Sequence, residues 1–307
     1  MPVDIPPDAD HCEVRCGKKK VSLTNLKKVF WPELGKTKRD LLLYYSELSS
    51  VLVPHLKDRA TVMKRYPNGI HGEFFFMKRT PAHRPEWLRT CSIEHRSSNV
   101  IDFPMADDVA SLLWIVNLGC IDLNPWYGRC DDVNRPDFLH FDLDPVPPAG
   151  FAEVQKVALL LKSYLDDRNV NSYPKTTGSR GIHVYVPIQR EAVQKEVWHA
   201  AKRIAIELAK MHPDAITSEY RIAHRPAGRV LVDYNQNAWG RTLASVYSVR
   251  PTVDATVSAP VSWEEIERGI SLSDFTMDTM PRRVEELGDL FKPVLRAGSR
   301  YRLEALR

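Results

Sequence analysis

The sequence predicts a protein of mixed α and β structure, and three observations carry that class. Leu139, Phe141 and Leu143 alternate with His140, Asp142 and Asp144, the period of a half-buried strand. Two further apolar strands follow, over residues 182–186 and within 228–237. Between them, residues 152–167 and 190–211 space their apolar side chains as helices do. Val154, Val157, Ala158, Leu161 and Leu165 mark one stripe; Val193, Val197, Ala201, Ile204 and Leu208 mark the other.

Composition sets the outer bounds. The chain has 307 residues, 43% hydrophobic and 27% charged, which is ordinary for a globular protein with room for a large core. A formal net charge of +4 permits a polyanionic partner without demanding one. No apolar run approaches the roughly 18 residues of a membrane span. Residues 1–10 do not read as a signal peptide, so no membrane partner and a cytoplasmic location are expected. The five scattered cysteines, Cys12, Cys16, Cys91, Cys120 and Cys130, fit reduced thiols better than a disulfide framework. His11, Cys12 and Cys16 would suit zinc with a second close pair, and none follows.

Taken in order, residues 1–20 read as a flexible tail ahead of a single folded domain, 21–307, of two packed lobes. Asp40 is the expected N-cap of a helix over 41–52. Lys27, Lys28, Lys36, Lys38 and Arg39 surround the turn at 32–35, either as a solvated face or gathered around one phosphate. Residues 61–66 and 74–78 flank Pro67-Asn68-Gly69 and predict a hairpin. Neighbours in a strand point to opposite faces, so Phe74, Phe75 and Phe76 cannot all enter one core. An exposed ring beside Lys64, Arg65, Lys78 and Arg79 has the composition of a base-stacking platform; burial on both faces is the alternative. A helix is expected over 108–118, a low-complexity connector over 251–260, and closing helices over 263–270 and 282–295.

The chemistry sits at strand ends. Asp142 and Asp144 share one strand face, and Pro145, Pro147 and Pro148 stop the strand at once. Crowded carboxylates repel unless a cation lies between them. Magnesium or manganese, hard ions that take oxygen ligands, would answer this; a solvated acidic turn is the plain alternative. Downstream, Thr176, Thr177, Gly178, Ser179, Arg180 and Gly181 form a hydroxyl- and glycine-rich turn leading to His183. Backbone N–H groups in such a turn can close on an anion, although the spacing is not that of a P-loop. Asp233, near the end of a third strand, adds a third carboxylate, and Arg241 and Arg250 follow.

Three spaced motifs in order, Phe-Asp142-Leu-Asp144-Pro, Thr-Gly-Ser179-Arg-Gly-Ile-His183 and Val-Asp233-Tyr-Asn-Gln236-Asn, resemble the polymerase/primase domain of bacterial and archaeal ligase D. That domain is the archaeo-eukaryotic primase-type nucleotidyltransferase of prokaryotic non-homologous end joining. Lesser matches are Leu-Thr-Asn25-x-x-Lys28-Val, Thr37-Lys38 and Pro-Asn-Gly69 ahead of Phe75-Phe76-x-Lys78, so the resemblance runs from about Val21 to Arg296. It implies an α+β fold: a central mixed RRM-like sheet flanked by helices, with an N-terminal α/β lobe. It implies that Asp142, Asp144 and Asp233 bind two metal ions, Mn²⁺ or Mg²⁺. Thr177, Ser179, Arg180 and His183, with Gln236 and Arg250, would bind the nucleotide. Asn25, Lys28 and Lys38 would hold a DNA 5′-phosphate, and Phe75 and Phe76 would stack at the template.

The implied activity is DNA repair by template-directed filling of short gaps and extension of DNA ends, with ribonucleotides preferred. The implied partners are NTPs or dNTPs, DNA gaps or double-strand-break ends carrying a 5′-phosphate, Ku and a separate ligase. A monomer off DNA, associated with the nucleoid, is expected. Two other classes compete: a metal-dependent phosphoesterase or nuclease, and a non-catalytic module binding 5′-phosphorylated ends. The chain departs from the family pattern at Thr177 and Arg180, where Ser and Lys are common, and at Asp122-Leu-Asn124, where an acid-x-His element is usual. No K-x-D-G ligase motif occurs, so a stand-alone polymerase is expected.

Overall fold

The computed structural model describes residues 3–95 and 99–306. The chain divides into two compact units. The first takes Met1–Asp131, Leu243–Val257 and Phe275–Gly288; the second takes Asp132–Thr242, Ser258–Asp274 and Asp289–Arg307.

The first unit opens with strand β1 (Cys12–Cys16) paired antiparallel to β2 (Lys19–Leu23). The expected tail over 1–20 therefore contains paired structure. Val14 lies opposite Val21 and both are buried, which anchors a segment whose Pro, Asp and Lys content reads as solvent-exposed. The helix expected over 41–52 is two helices, α1 (Lys38–Glu47) and α2 (Ser49–Leu56), broken at Leu48. Thr37 is the N-cap, and Asp40 is its capping-box partner: the Thr37 N–H donates to Asp40 Oδ2 at 2.6 Å. The predicted hairpin forms between β3 (Thr61–Arg65) and β4 (Phe75–Met77). Helix α3 (Val109–Asn117), capped by Asp108, leads into β5 (Cys120–Pro125), which pairs with the other edge of β3.

Two expectations change in this unit. Cys91 and Cys130 form a disulfide, because the fold brings their Cα atoms to 5.7 Å, within bonding reach. Among the described residues Cys12, Cys16 and Cys120 remain free thiols. The connector over 251–260 is not loose either: residues 255–260 are buried, with Val257 bridged to Val249 in the first unit and Pro260 bridged to Lys175 in the second.

The second unit is built on a five-stranded mixed sheet. Its central strand is β6 (Phe138–Pro145), followed by helix α4 (Phe151–Asp166), β7 (Tyr173–Thr176) and β8 (Ile182–Pro187). Helix α5 (Gln194–Met211), β9 (Ile216–Thr217) and β10 (Val230–Asp233) complete it. The strand order is β7-β8-β6-β10-β9, antiparallel except for the β9–β10 pair. Both α4 and α5 pack against β6. The closing helix over 263–270 ends at Arg268, and the one expected over 282–295 is a helix over Met280–Leu287 in the first unit, stopped by Gly288 at φ +68°.

Strand β6 was expected to be half-buried, yet residues 138–143 are buried on both faces. The reason is the company of His140, which packs beside the touching rings of Phe138 and Tyr185 and is fully buried. Where β10 ends, the side chain of Asn237 takes over as the neighbour of β6. Its Oδ1 accepts from the His140 N–H at 3.1 Å and its Nδ2 donates to the His140 carbonyl at 2.7 Å. Asn237→Ala leaves both backbone groups without this partner. It should cost about 1–3 kcal/mol in urea unfolding, the usual loss for a buried polar group deprived of its bond; an unchanged midpoint would show that Asn237 carries no structural load.

Candidate active site

The acidic residues lie in register across the central strands. Asp142 on β6 is paired with His183 on β8 and with Asp233 on β10, and His183 is paired in turn with Lys175 on β7. Directly opposed residues of antiparallel strands project to the same face. Lys175, His183, Asp142 and Asp233 therefore form one row across four strands, and Asp144 stands two residues along β6 on that same face.

The row runs from a cation at one edge to two adjacent carboxylates. Lys175 Nζ is 2.7 Å from His183 Nδ1, and His183 Nε2 is 3.3 Å from Asp142 Oδ1. Arg180 Nε is 3.2 Å from Asp144 Oδ1. Asp233 accepts from the Asn235 N–H at 2.8 Å and from Gln236 Nε2 at 3.1 Å. Burial and the neighbouring Asp142 push the Asp144 carboxyl up, against the pull of Arg180. Burial also pushes Asp233 up, with Asp142 adding to it. These are carboxylates whose charge is under-compensated by protein groups alone. Burial, followed by the charges of His183 and Lys175, holds His140 well below the usual imidazole range.

The glycine-rich turn is arranged differently from an anion-closing loop. The N–H groups of Ser179, Arg180 and Gly181 all donate to Thr177 Oγ1, at 3.1, 3.2 and 3.0 Å. Thr177 thus shapes the turn from inside, and the donors turned outward are the exposed side chains of Ser179 and Arg180. Gly178 takes φ +66°, in the left-handed region that glycine adopts without strain. At Gly181 a Cβ would lie 2.2 Å from the Leu143 carbonyl oxygen, so the turn lies directly against the strand that carries the acids.

Arg250 belongs to the first unit, where its Nε is 3.6 Å from the buried Asp122. Asn124, at the position of the family histidine, donates to the Asp122 carbonyl and side chain at 3.0 and 3.3 Å, bracing that acid. Asn25, Lys28 and Lys38 do converge: with Lys20, Arg65 and His83 they line an open pocket of about 660 Å³, and no acid is among its described lining residues. Lys38 is only 5% exposed and donates to the Thr24 carbonyl at 2.6 Å. Burial, then Lys28 and Arg65, lower its pKa to about 8.

On the hairpin, Phe74, Phe75 and Phe76 are all about half exposed, at 51, 46 and 60%. Phe75 is opposite Arg65, whose guanidinium lies 5.1 Å from its ring centre; Phe76 is opposite Lys64, 5.8 Å from its ring centre. The two rings therefore project from opposite faces, each against a cation. Sequence reasoning passed over Lys175, because a lysine within a short strand reads as surface, and left open which ring leaves the core; Phe74 stacks on Tyr66 with centroids 5.3 Å apart. The place of Lys175, 8 residues before His183 on the other side of the glycine-rich turn, was the available signal.

A family model for the LigD primase-polymerase domain matches residues 37–291. The chain belongs to the LigD primase-polymerase domain family. It is therefore a nucleotidyltransferase of the polymerase type. It is 32% identical over 273 residues to the bifunctional non-homologous end joining protein LigD of Bacillus subtilis, covering 88% of this chain and 43% of that protein. It is 31% identical over 277 residues to the multifunctional non-homologous end joining protein LigD of Mycolicibacterium smegmatis, covering 90% of this chain and 36% of that protein. The chain thus spans well under half the length of these relatives. The polymerase domain of Mycobacterium tuberculosis ligase D, in complex with DNA, superposes with a TM-score of 0.84 at 30% identity, over 90% of this chain and 98% of that one. The α+β primase-type fold with its mixed central sheet is thereby the observed one.

Gly181 gives the site a direct test. Gly181→Ala forces β6 and the turn apart, and overpacking of this kind costs about 1–3 kcal/mol or more. The variant should unfold at lower denaturant than the parent and resist rescue by any second change in the turn; a parent-like midpoint would mean that the close approach is relaxed in solution.

Proposed function

We propose that this chain fills short gaps and extends ends of DNA by template-directed nucleotidyl transfer, in bacterial end joining. The observation that carries the reading is the row that sets Asp142 beside Asp233, with Asp144 on the same face, directly against the turn bearing Ser179 and Arg180. Among the described residues no three His, Cys, Asp or Glu side chains stand in metal-ligating geometry. In this structure Asp144 is engaged by Arg180 and Asp142 stands against His183. The donor set nonetheless fits hard divalent ions: three carboxylates, two of them, Asp144 and Asp233, pushed up by burial and by the charge of Asp142. Asp142, Asp144 and Asp233 would hold Mn²⁺ or Mg²⁺, two ions in all, which when bound would polarise the attacking hydroxyl and neutralise the leaving pyrophosphate.

The protein's own part is placement. Ser179 and Arg180 would grip the triphosphate, and Arg180 would leave Asp144 to do so. Thr177 would act by holding the turn, and Gln236 by orienting Asp233. Arg250, kept in place by Asp122, would meet the nucleotide, and Phe75 and Phe76 would stack on template bases. Asn25, Lys28 and Lys38 would hold a 5′-phosphate in the acid-free pocket. Ku, a separate ligase, a ribonucleotide preference and a nucleoid location belong to the same proposal; no helix among the described residues is long and apolar enough to cross a membrane.

Primer extension on a gapped, 5′-phosphorylated duplex with NTPs or dNTPs and Mn²⁺ or Mg²⁺ tests the reading. Extension with a preference for NTPs supports it, whereas release of mononucleotides would make the chain a nuclease. Asp142→Ala and Asp144→Ala should abolish addition while the circular dichroism spectrum is kept; full activity in either would remove the metal assignment.

The 5′-phosphate pocket has its own signature in pH. A bound phosphate favours the charged lysine, so affinity should hold below pH 8 and fall as Lys38 loses its proton above about 8. Lys20, Lys28, Arg65 and His83 face the same space, and Asp10 is the acid that pulls the other way. Lys38→Ala should weaken binding to phosphorylated gaps by roughly tenfold or more, the worth of one charge-assisted bond. Binding to 5′-hydroxyl gaps should barely change. An equal loss on both substrates would refute the pocket.

A further inference from the structure

The row across the sheet contains a residue with no place in the polymerase reading. Lys175 is fully buried, at 0% exposure, in the short strand β7. A buried ammonium is expensive unless its protons are taken up. Here Nζ is 2.6 Å from Ser258 Oγ and 2.7 Å from His183 Nδ1, and lies 5.6 Å from the centre of the Tyr185 ring. Ser258 spends its own proton on the Thr176 carbonyl at 2.8 Å, so towards Lys175 it acts as acceptor. The ring face of Tyr185 likewise favours a cation.

An ammonium has only protons to offer, so the His183 nitrogen facing it must be the bare one. For a neutral imidazole this puts the proton on Nε2, the nitrogen 3.3 Å from Asp142 Oδ1. The opposite tautomer would turn a lone pair towards a carboxylate oxygen. We infer that Lys175 is a positioning residue for Asp142: clamped by Ser258, it fixes His183 with its proton on Nε2, turned towards Oδ1 of Asp142 at the strand position directly opposite Asp233. The inference rests on the reading of Asp142 as a metal-holding carboxylate, and it deepens that reading by supplying the support behind it.

The test separates the two. In metal-free protein labelled with ¹⁵N in its histidines, the His183 signals are assigned by their loss in His183→Gln. The expected spectrum has a protonated Nε2 and a bare Nδ1, and Lys175→Met should redistribute the proton between the two nitrogens. Mn²⁺ binding is followed by electron paramagnetic resonance in the same proteins. Lys175→Met should weaken it by about tenfold or more, the usual consequence of removing a supporting partner. Ser258→Ala should shift both readouts in the same direction by less.

The sign is decisive, because deleting a nearby cation for its charge alone would tighten Mn²⁺ binding. Tighter or unchanged binding in folded Lys175→Met overturns the inference, as does an Nδ1-protonated His183 in the parent. Should Lys175→Met fail to fold, the parent's tautomer and Ser258→Ala still decide. A parent with the expected tautomer that binds no Mn²⁺ upholds the lysine's hold on His183 and overturns the metal assignment instead.

Discussion

Much of the second unit depends on one repulsion. Register places Asp142 directly opposite Asp233, and the period of the strand brings Asp144 to the same face. Like charges opposed across strands destabilise a sheet, and burial sharpens the effect by removing the water that would screen them. The surrounding residues respond to it one by one. Arg180 meets Asp144, His183 stands against Asp142, and Asn235 and Gln236 donate to Asp233. Even so, burial and the charge of Asp142 push the Asp144 and Asp233 carboxyls up. The sheet is stable enough to assemble this arrangement and still leaves it in need of positive charge.

The first unit shows the reverse imbalance. Lys38 is buried among Lys28 and Arg65 beside a pocket without acids, and its proton is held less tightly for that reason. One face of the second unit's sheet thus concentrates acids, and one pocket of the first unit concentrates cations, each in a place where folding alone does not neutralise them. Concentrations of one sign are what a phosphate-rich substrate and its counterions require. A formal net charge of +4 gives almost no hint of this segregation.

What could be read from the sequence was local and periodic. The alternation around Asp142 and Asp144, the stripes of α4 and α5, and the hairpin carrying Phe75 and Phe76 all depend on neighbours a few residues apart, and they form as expected, except that α5 starts only at Gln194 and leaves Val193 exposed ahead of it. The convergence of Asn25, Lys28 and Lys38 was legible because a short turn separates them. Long-range partnerships were not. Cys91 and Cys130 are 39 residues apart with nothing local to pair them. Ser258 meets Lys175 from a segment whose Ala, Val and Ser content looked like a spacer, although its residues are buried one after another. The break at Leu48 escaped notice because apolar spacing continues through it. Thr177 was expected to face the nucleotide, and its position inside the turn follows from three N–H groups that no sequence pattern reveals.

The absence of a side chain at Gly181 has a mechanical consequence. With the Leu143 carbonyl where a Cβ would be, the glycine-rich turn and the acid-bearing strand share one wall and have no space in which to slide. A turn so mounted cannot swing as a flap over a nucleotide while the carboxylates stay behind. What can still rotate at the end of that turn is the long, exposed side chain of Arg180, now turned to Asp144.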